Sequence, residues 1–399
     1  MIHSSQNTDF PPKKIALLGA SGSIGSGAID VIAASCGRLV ASVLTVHTGT
    51  RRLVEAARRL RPQTVVVTNP EADRAPLAEL PPETELLFGP EALDEVVQRP
   101  EIGTVLSAIV GSAGLRGTWR ALEAGKTVAL ANKESLVLAG PLLLELAQKN
   151  GGKILPVDSE HSAILQSLAA RGPYGDDLAR SVRRLILTAS GGPFRNLTKE
   201  ELEKVTVEDA LRHPTWKMGK KITIDSATMM NKALEIIEAR WLFQLPPEKI
   251  DVVVHPQSMV HSMVEFVDGA VIAQMGPPDM RLPIQLALYD RARIEGPARK
   301  MDWTQPFSLE FFPPDEERFP ALALGRRVAE LGGSAGAVAS AANEVAVAAF
   351  LAGKLPFSRI VPLCQTILER HAFEERPTLE RLFELDAATR EETKKWISD

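Results

Sequence analysis

The N-terminal part of the chain repeats one pattern, in which a short apolar run ends at a turn of small or polar residues and a helix-like segment follows. The apolar runs lie at residues 13–18, 39–46, 64–67, 104–110 and 127–130. Strands that alternate with helices predict a doubly wound parallel sheet, because parallel neighbours need a crossover connection. Ligands bind such a sheet at the carboxyl ends of its strands, so the residues after each run are the candidates for chemistry.

The turn after the first apolar run carries Gly19, Gly22 and Gly25. This spacing is the G-x-x-G-x-x-G variant of the dinucleotide-binding fingerprint, and it stands between a strand and a helix as that fingerprint requires. Glycines permit a tight turn and let backbone N–H groups approach a pyrophosphate at a helix N-terminus. The turn therefore predicts nucleotide binding in a Rossmann-like domain; a merely structural βα turn is the alternative.

The end of the second strand selects the cofactor in a Rossmann fold. Residues 47–52 read His-Thr-Gly-Thr-Arg-Arg and contain no acid. An acidic side chain at this place binds the ribose hydroxyls of NAD, whereas arginine favours the extra phosphate of NADP. Arg51 and Arg52 therefore favour NADP. The alternative is that they are ordinary side chains at the start of a helix and bind no ligand.

Asn132, Lys133 and Glu134 follow the fifth apolar run, so we expect them at a strand end that faces the ligand. A lysine in this place can hold an anionic or polar substrate. The alternative interpretation is a surface lysine after a strand.

Two carboxylates, Asp158 and Glu160, follow the apolar residues 153–155. If the strand continues through them, both point to one side, because alternate side chains of a strand share a face. Carboxylates held that close repel each other unless a cation intervenes, and Mg²⁺ or Mn²⁺ takes oxygen ligands of this kind. The stretch is therefore a candidate metal site; a solvated turn between strand and helix is the alternative.

A second structural unit is predicted downstream. Residues 182–188 and 250–254 are strand-like, and a later Asp-Gly pair marks a hairpin, so this unit reads as α+β with antiparallel pairing. The Ser-Gly-Gly-Pro turn that begins at Ser190 suits an anion. The polar stretch 195–221 is typical of a mobile lid around Trp216, although this tryptophan could simply be packed.

Residues 226–243 form a helical pattern that begins near Ser226. Asn231 and Glu235 are four residues apart and share a face, with Lys232 one step round. The N–H groups at a helix start attract phosphate. Hydroxyl, amide, ammonium and carboxylate groups at one helix start are what a phosphorylated sugar and a metal need; a solvated Glu/Lys face is the alternative.

Composition narrows the class of protein. The net charge of −4 indicates no general attraction to nucleic acid or to an anionic membrane. Two cysteines without a CxxC motif suit the reducing cytoplasm, and no apolar run is long enough to cross a membrane. The polar residues 1–12 do not resemble a secretory signal.

Taken together, the motifs resemble the 1-deoxy-D-xylulose 5-phosphate reductoisomerase family of the non-mevalonate isoprenoid pathway. The matching segments follow one another over nearly the whole chain, and they are GASGSIG (19–25), ANKESLV (131–137), PVDSEH (156–161), ASGGPF (189–194), HPTWKMG (213–219), DSATMMNKALEIIEA (225–239), HPQSMVHSMVE (255–265) and NEVAVAAFL (343–351). The resemblance implies that a cytoplasmic homodimer converts 1-deoxy-D-xylulose 5-phosphate, a small phosphorylated sugar, into 2-C-methyl-D-erythritol 4-phosphate.

The resemblance also implies a domain organisation. The implied parts are an NADPH-binding Rossmann-like domain at 1–155, a central α+β catalytic and dimerisation domain at 156–300 with a lid loop at 190–220, a linker at 301–320 and a C-terminal helical domain at 321–399. It implies a divalent metal, Mg²⁺, Mn²⁺ or Co²⁺, held by Asp158, Glu160 and Glu235, with Lys133 as a further catalytic group.

Binding residues are assigned by the same resemblance. The implied substrate contacts are Lys133, Ser159, Glu160, Ser190, His213, Trp216, Ser226, Asn231, Lys232 and Glu235. The implied cofactor contacts are Ser21, Gly22, Ser23, Ile24, Gly25, His47, Thr48, Gly49, Asn132, Glu134 and Gly219. Family members commonly carry Gly-Lys/Arg-Asn where this chain has residues 47–49, so we expect Arg51 or Arg52 to replace the usual donor to the NADP 2′-phosphate.

Two other classes of protein stay open on the residues alone. An NADP-dependent dehydrogenase of the homoserine-dehydrogenase type also combines a Rossmann domain with an α+β domain, but it needs no acid triad and no long lid. A non-catalytic redox sensor that binds NADP(H) and a protein partner would not need three carboxylates to converge. A strict requirement for Mg²⁺ or Mn²⁺ separates the reductoisomerase from both.

Overall fold

The computed structural model describes residues 12–170, 178–216 and 218–398. The strands of its first sheet are β1 (Lys13–Leu18), β2 (Leu39–Val46), β3 (Thr64–Val67), β4 (Glu85–Phe88), β5 (Thr104–Ser107), β6 (Thr127–Leu130) and β7 (Lys153–Pro156). Every pairing in this seven-stranded sheet is parallel, in the order β4-β3-β2-β1-β5-β6-β7. The Rossmann-like sheet is confirmed, although the edge strand β4 was not predicted and β5 ends at Ser107 rather than at residue 110.

Helices cover both faces of this sheet. They are α1 (Ser23–Ala33), α2 (Thr50–Leu60), α3 (Pro90–Gln98), α4 (Gly114–Glu123) and α5 (Lys133–Asn150), whereas α6 (Ser159–Ser167) follows β7 but packs mainly against the second sheet. Ile15 and Leu17 pack into one apolar cluster, whereas Ala16 and Leu18 pack into another. Alternate side chains of β1 are therefore buried on opposite faces, which explains why the strand reads as a continuous apolar run.

The strand order reverses between β1 and β5, and this reversal opens a crevice above the carboxyl ends of both strands. The turn from β1 into α1 lies at that crevice. Gly19 has a φ of +87°, and a Cβ added to Gly25 would lie 2.4 Å from the Gly19 carbonyl oxygen. Both positions therefore require glycine, and the turn brings the uncapped N-terminus of α1 to the crevice.

The second sheet contains β8 (Val182–Ala189), β9 (Ile250–Val254), β10 (Val260–Phe266) and β11 (Val271–Met275). Its order is β11-β10-β8-β9. The predicted hairpin is the antiparallel pair β10–β11, and β10 also runs antiparallel to β8. The expectation of antiparallel pairing was wrong for β8 and β9, which are parallel because the long helical connection between them returns the chain in the same direction.

The helices of this second unit are α7 (Leu178–Ser181), α8 (Lys199–Leu202), α9 (Val207–Ala210), α10 (Lys220–Ala227), α11 (Met230–Phe243) and α12 (Arg281–Leu288). The single helix predicted over residues 226–243 was wrong. Met229 has a left-handed φ of +62°, so the chain breaks there and Ser226 lies in the last turn of α10. The stretch 195–221 is also less irregular than predicted, because it contains α8, α9 and the first residues of α10.

The C-terminal part is helical, as predicted, with α13 (Ala321–Leu331), α14 (Ala335–Leu351), α15 (Ile360–Arg370) and α16 (Leu379–Ser398). One apolar cluster combines side chains of the second sheet, α11 and α13–α15, so these parts share a core. The buried helix α14 also lies against α5, and a Cβ added to Gly336 would fall 1.9 Å from the Val137 carbonyl oxygen. No helix of the described ranges is long and apolar enough to cross a membrane.

Candidate active site

A cavity of about 810 Å³ lies between the carboxyl ends of the first sheet and the elements of the second unit. The glycine-rich turn, the ends of β5 and β6, the start of α6, and α10–α12 all contribute side chains to its wall. The sequence-predicted residues in this wall are Gly22, Ser23, Ile24, Asn132, Lys133, Glu134, Asp158, Ser159, Glu160, Ser190, His213, Trp216, Gly219, Ser226, Asn231, Lys232 and Glu235. The fold therefore brings most of the predicted residues to one place.

The carboxylates Asp158 and Glu160 do not belong to a strand, so the expectation of a strand through both was wrong. β7 ends at Pro156, and Asp158 is the N-cap of α6. The Asp158 Oδ1 atom accepts a hydrogen bond from the Glu160 N–H at 3.2 Å. A cap of this kind satisfies one of the free N–H groups of a helix start and fixes the direction of the next turn. The Ser159 hydroxyl donates to the Glu160 carboxylate, so Ser159 stays beside its neighbour rather than opposite it.

Glu235 approaches these two carboxylates from α11. One oxygen atom from each of Asp158, Glu160 and Glu235 lies within 4.8 Å of the other two, and the Glu235 side chain is almost wholly buried. Three hard oxygen ligands at this spacing match the preference of Mg²⁺ or Mn²⁺. The sequence prediction that these residues converge thus agrees with the geometry.

Two lysines neutralise part of this charge. The Lys133 Nζ atom lies 2.6 Å from Asp158 Oδ2 and 2.9 Å from Glu235 Oε1. The Lys232 Nζ atom lies 2.7 Å from Glu160 Oε1 and also bonds Glu235. With all five groups ionised, three carboxylates oppose two ammonium groups, and one negative charge is left over.

Glu160 is the carboxylate whose negative charge is least compensated. Burial, and then the negative charge of Glu235, raises the pKa of Glu160 to about 7. Burial also acts on Asp158, but the nearby Lys133 charge outweighs it and holds the pKa of Asp158 well below its usual range. A carboxylate whose charge is this poorly compensated calls for a cation, so the residues fit a divalent metal ion.

A buried pair, His161 and Glu238, lies behind the carboxylates. The His161 Nδ1 atom is 3.2 Å from Glu238 Oε2 and 3.5 Å from Asp158 Oδ1, while Nε2 is 3.0 Å from the Glu235 carbonyl oxygen. Burial opposes the charge of the ring, but Glu238 and Asp158 raise the pKa of His161 to about 9. Sequence reasoning did not identify either residue as a neighbour of the carboxylates. The position of Glu238, one helical turn after Glu235, was the signal that could have found it.

A second corner of the cavity is built from Ser190, His213 and Ser226. The His213 Nε2 atom lies 3.1 Å from each serine Oγ, and its Nδ1 accepts hydrogen bonds from the N–H groups of Thr215 and Trp216 at 3.1 and 2.9 Å. A ring nitrogen that accepts two N–H groups carries no proton, so Nε2–H faces the hydroxyls. Burial lowers the pKa of His213, which favours this neutral form. Hydroxyl and N–H donors grouped in this way suit a phosphate.

Asn231 joins this corner to the carboxylates. Its Nδ2 atom donates to Glu235 Oε1 at 2.6 Å, and its Oδ1 accepts from Lys133 Nζ at 3.0 Å. Asn231 is in the first turn of α11 and Ser226 in the last turn of α10. The break at Met229 is therefore what turns both side chains toward the same cavity.

The nucleotide side of the cavity is formed by the starts of α1 and α5. Asn132 caps α5 by accepting from the Ser135 N–H at 2.9 Å, and its Nδ2 donates to the Gly111 carbonyl at 3.0 Å. The start of α1 at Gly22 has no side-chain cap, so its backbone N–H groups are left for a ligand, whereas the Asn132 amide at the start of α5 is held by Gly111 and Glu134. These features fit a dinucleotide whose pyrophosphate lies at the N-terminus of α1.

The predicted contacts at the end of β2 lie outside the wall of the cavity. The His47 and Thr48 side chains are exposed, and a Cβ added to Gly49 would lie 2.7 Å from the Ser21 Cβ. The Arg52 Nη1 atom donates to the Ser21 carbonyl at 2.8 Å, which ties the start of α2 to the glycine-rich turn. Gly25, another predicted contact, is buried beneath that turn rather than open to a ligand.

Sequence reasoning also missed a wall contributed by α12. Met280 and Arg281 line the cavity, and a Cβ added to Gly27 of α1 would lie 3.1 Å from Ile284 Cδ1. The second unit therefore reaches back onto the first helix of the nucleotide side. The short apolar pattern of α12 gave no sign that it would pack against a helix so distant in sequence.

Family models match nearly the whole chain. The model described as 1-deoxy-D-xylulose 5-phosphate reductoisomerase matches residues 15–140, and two models of its C-terminal domains match residues 154–243 and 275–392. A reductoisomerase of this name from Symbiobacterium thermophilum is 50% identical over 95% of this chain and 97% of its own length. One from Rhodopirellula baltica is 46% identical over 96% of this chain and 95% of its own length.

Solved structures of the same enzyme are also similar. A reductoisomerase from Zymomonas mobilis in complex with NADPH has a TM-score of 0.88 and 42% identity, and the match covers 97% of this chain and 99% of the other. A second, in complex with NADPH, fosmidomycin and magnesium, has a TM-score of 0.90 and 39% identity over 97% of this chain and 98% of the other.

Replacement of one carboxylate tests the metal assignment directly. Glu235→Gln keeps the shape of the side chain but leaves two carboxylates opposite two ammonium groups, so no negative charge remains for a cation. We expect the Kd for Mn²⁺, measured on the cofactor-free protein by electron paramagnetic resonance, to rise more than about 100-fold. Loss of an outer-sphere partner costs up to about this factor, and Glu235 is assigned as a direct ligand. Glu248→Gln, which changes an exposed carboxylate, is the control; equal Mn²⁺ affinity in both variants would contradict the assignment.

Proposed function

This chain belongs to the 1-deoxy-D-xylulose 5-phosphate reductoisomerase family, and on that premise we propose how its residues divide the work. The enzyme catalyses the isomerisation and NADPH-dependent reduction of 1-deoxy-D-xylulose 5-phosphate to 2-C-methyl-D-erythritol 4-phosphate with a divalent metal, a step of isoprenoid precursor synthesis. The observation that best supports the assignment to this cavity is the convergence of Asp158, Glu160 and Glu235 beside Lys133 and Lys232.

The phosphate of the substrate is bound at the corner of Ser190, His213 and Ser226, with Asn231 beside it. In the described structure His213 is hydrogen-bonded to both serine hydroxyls, so these polar groups are held together before the phosphate binds. This phosphate-binding corner lies away from the atoms that react. Its binding energy can therefore hold the sugar, and any fragment of it, in place while bonds change.

The reacting part of the substrate lies between the carboxylates and the two lysines. When bound, the divalent cation supplies Lewis-acid polarisation of the substrate oxygens, and NADPH supplies the hydride. Lys133 and Lys232 keep the carboxylates in a fixed arrangement and offer N–H donors to substrate oxygens. Ser159, next to Glu160, contributes a hydroxyl at the same place.

Trp216 and Met218 cover the substrate. Both line the cavity, and the Trp216 ring lies 6.3 Å from the His261 ring, with which it forms an apolar roof. Burial lowers the pKa of His261 to about 4, so this ring is neutral at physiological pH and adds no charge to the roof. Exclusion of water strengthens the polar contacts beneath it.

NADPH extends along the crevice from the start of α5 to the end of β2. We assign the nicotinamide side to Asn132, Glu134 and Gly219, and the pyrophosphate to Ser21, Gly22, Ser23 and Ile24, with Gly25 as the glycine that makes room. His47, Thr48 and Gly49 flank the adenosine ribose. Arg51 and Arg52 lie exposed beside them and supply the positive charge for the 2′-phosphate.

NADPH oxidation with 1-deoxy-D-xylulose 5-phosphate tests this division of labour. Addition of EDTA should abolish the absorbance change and Mg²⁺ or Mn²⁺ should restore it, which neither a metal-independent dehydrogenase nor a redox sensor would show. Ser226→Ala and Asn231→Ala should each raise the KM for the sugar phosphate about tenfold, because each removes a hydrogen bond to a charged group.

The matched control in these variants is the KM for NADPH, which should change less than about twofold, as for a substitution remote from the ligand. An unchanged KM for the sugar phosphate in both variants would contradict the assignment of the substrate phosphate to this corner.

The choice of cofactor is tested on α2. Arg51→Ala with Arg52→Ala should weaken NADPH binding about tenfold or more, through loss of charge-assisted hydrogen bonds, and leave NADH binding unchanged. Arg58→Ala is the control, because Arg58 lies on the same helix but pairs with Glu79. Isothermal titration calorimetry with both nucleotides gives the comparison. An equal loss of affinity for NADPH and NADH would contradict the proposed role of these arginines.

A homodimer completes the proposal. Val271 and Ile272 of the edge strand β11 are 49% and 38% exposed, and Trp303 and Phe307 are 69% and 43% exposed. Apolar side chains on an open strand edge and in a nearby irregular segment are typical of a surface that a second copy covers. Sedimentation equilibrium should give twice the chain mass of 43.3 kDa; a monomer at micromolar concentration would contradict the dimer.

We also propose the domain limits 1–155, 156–300, 301–320 and 321–399, with a lid at 190–220, and a cytoplasmic location. The sharp change from the parallel sheet to the α6 cap near residue 156 supports the first limit. Both cysteines, Cys36 and Cys364, are free thiols, which suits a reducing compartment. Fractionation of cells that express the protein tests the location.

A further inference from the structure

A buried polar chain connects the C-terminal helices to the cofactor side of the cavity. The Asn343 Nδ2 atom, on α14, donates to Asp225 Oδ1 at 2.9 Å. The other oxygen of Asp225 lies 2.9 Å from Lys221 Nζ, and the same ammonium donates to Glu134 Oε1 at 2.7 Å. Glu134 in turn accepts from Asn132 Nδ2 at 3.1 Å with its second oxygen. The polar chain thus runs from Asn343 through Asp225 and Lys221 to Glu134.

Two of these groups are inaccessible. Asn343 is 0% and Asp225 is 1% exposed. The wall of the cavity includes Asp225, Lys221 and Glu134, whereas none of the described residues from 321 to 398 belongs to it. Asn343 can therefore influence a bound ligand only through the side chains that it holds.

Each link in the polar chain depends on the one before it. Asp225 is a carboxylate in a dry environment, and it needs donors for both oxygens. If the Asn343 amide is lost, Lys221 is the side-chain partner left to the Asp225 carboxylate among the described residues, and it is drawn toward Asp225. Glu134 then loses part of the contact that now lowers its pKa against the opposing effect of burial.

Two members of the polar chain lie in the two halves of the site. Glu134 follows Lys133 in the first turn of α5, and Asp225 precedes Ser226 in α10. We propose that Asn343 is a positioning residue, which through Asp225 and Lys221 fixes Glu134 and so sets the affinity of the cofactor side of the cavity. This inference rests on the proposed placement of the nicotinamide side at Asn132 and Glu134.

NADPH binding to the complete protein without substrate, followed by quenching of tryptophan fluorescence, measures this effect. Asn343→Leu should raise the Kd for NADPH about fivefold, which is less than the full cost of a hydrogen bond to a charged group because Asn343 acts through Asp225 and Lys221. Lys221→Met should raise it about tenfold or more. The double variant should bind no more weakly than Lys221→Met alone, because both substitutions interrupt the same polar chain.

Ser340→Ala is the matched control. Ser340 lies on α14 one turn before Asn343, is 1% exposed, and its hydroxyl has no hydrogen-bond partner among the described residues. Its removal should leave the Kd for NADPH within about twofold of the wild-type value. If Asn343→Leu folds poorly, Asn343→Ala serves in its place, since it removes the amide donor without adding bulk, and it should weaken NADPH binding by a similar factor.

A purely structural Asn343 would give a different result. Its loss would then lower the Tm and the folded fraction while the Kd of the folded protein stayed at the wild-type value, and that outcome overturns the inference. Multiplicative losses in the double variant overturn it as well, because independent effects multiply. Failure of the wild-type protein itself to bind NADPH would instead refute the proposed function.

Discussion

The ammonium group of Lys133 is the contact on which the site depends. It bonds Asp158 from the start of α6, and Glu235 and Asn231 from α11, so one cation joins the first sheet to the second unit. The negative charges around Lys133 outweigh its burial and raise its pKa well above the ordinary value, so it stays charged. Without it, the buried Glu235 and the half-buried Asp158 and Glu160 would face one remaining lysine, and their mutual repulsion would oppose the close approach of α6 and α11.

The second constraint is the shared core. The second sheet, α11 and helices α13–α15 pack into one apolar cluster, while the first sheet packs into two others that also take in side chains of α12, α14 and α16. The phosphate corner belongs mainly to the first of these clusters and the nucleotide crevice to the other two. Apolar packing and polar contacts such as the Lys221 bridge join the two parts, so the cavity lies where they meet.

Sequence reasoning recovered what depends on local pattern. The alternation of strands and helices, the glycine-rich turn and the pairing of Asp158 with Glu160 followed from residue type and spacing, whereas Glu235 as the third carboxylate came from the resemblance to a known family. It failed where long-range packing decided. Met229 has no local reason to adopt a left-handed φ, so the break between α10 and α11 was invisible. Asp158 was taken for a strand residue because an apolar run precedes it, although Asp is a common N-cap. Lys221 lies outside the matching segments, and nothing local shows that the partners of His161 and Glu238 lie on distant elements.

The two short helices of the proposed lid have a feature with mechanical meaning. In α8, Thr198 and Glu201 cap each other, and in α9, Thr206 and Asp209 do the same. Each turn is therefore closed by its own side chains, and each is also anchored, because Leu202 of α8 and Ala210 of α9 are buried in the apolar cluster of the second sheet. A movement of the lid that exposes neither of these side chains is confined to the chain beyond Ala210. The contacts of His213 and the cover by Trp216 can then change while the internal hydrogen bonds of both capped turns stay intact.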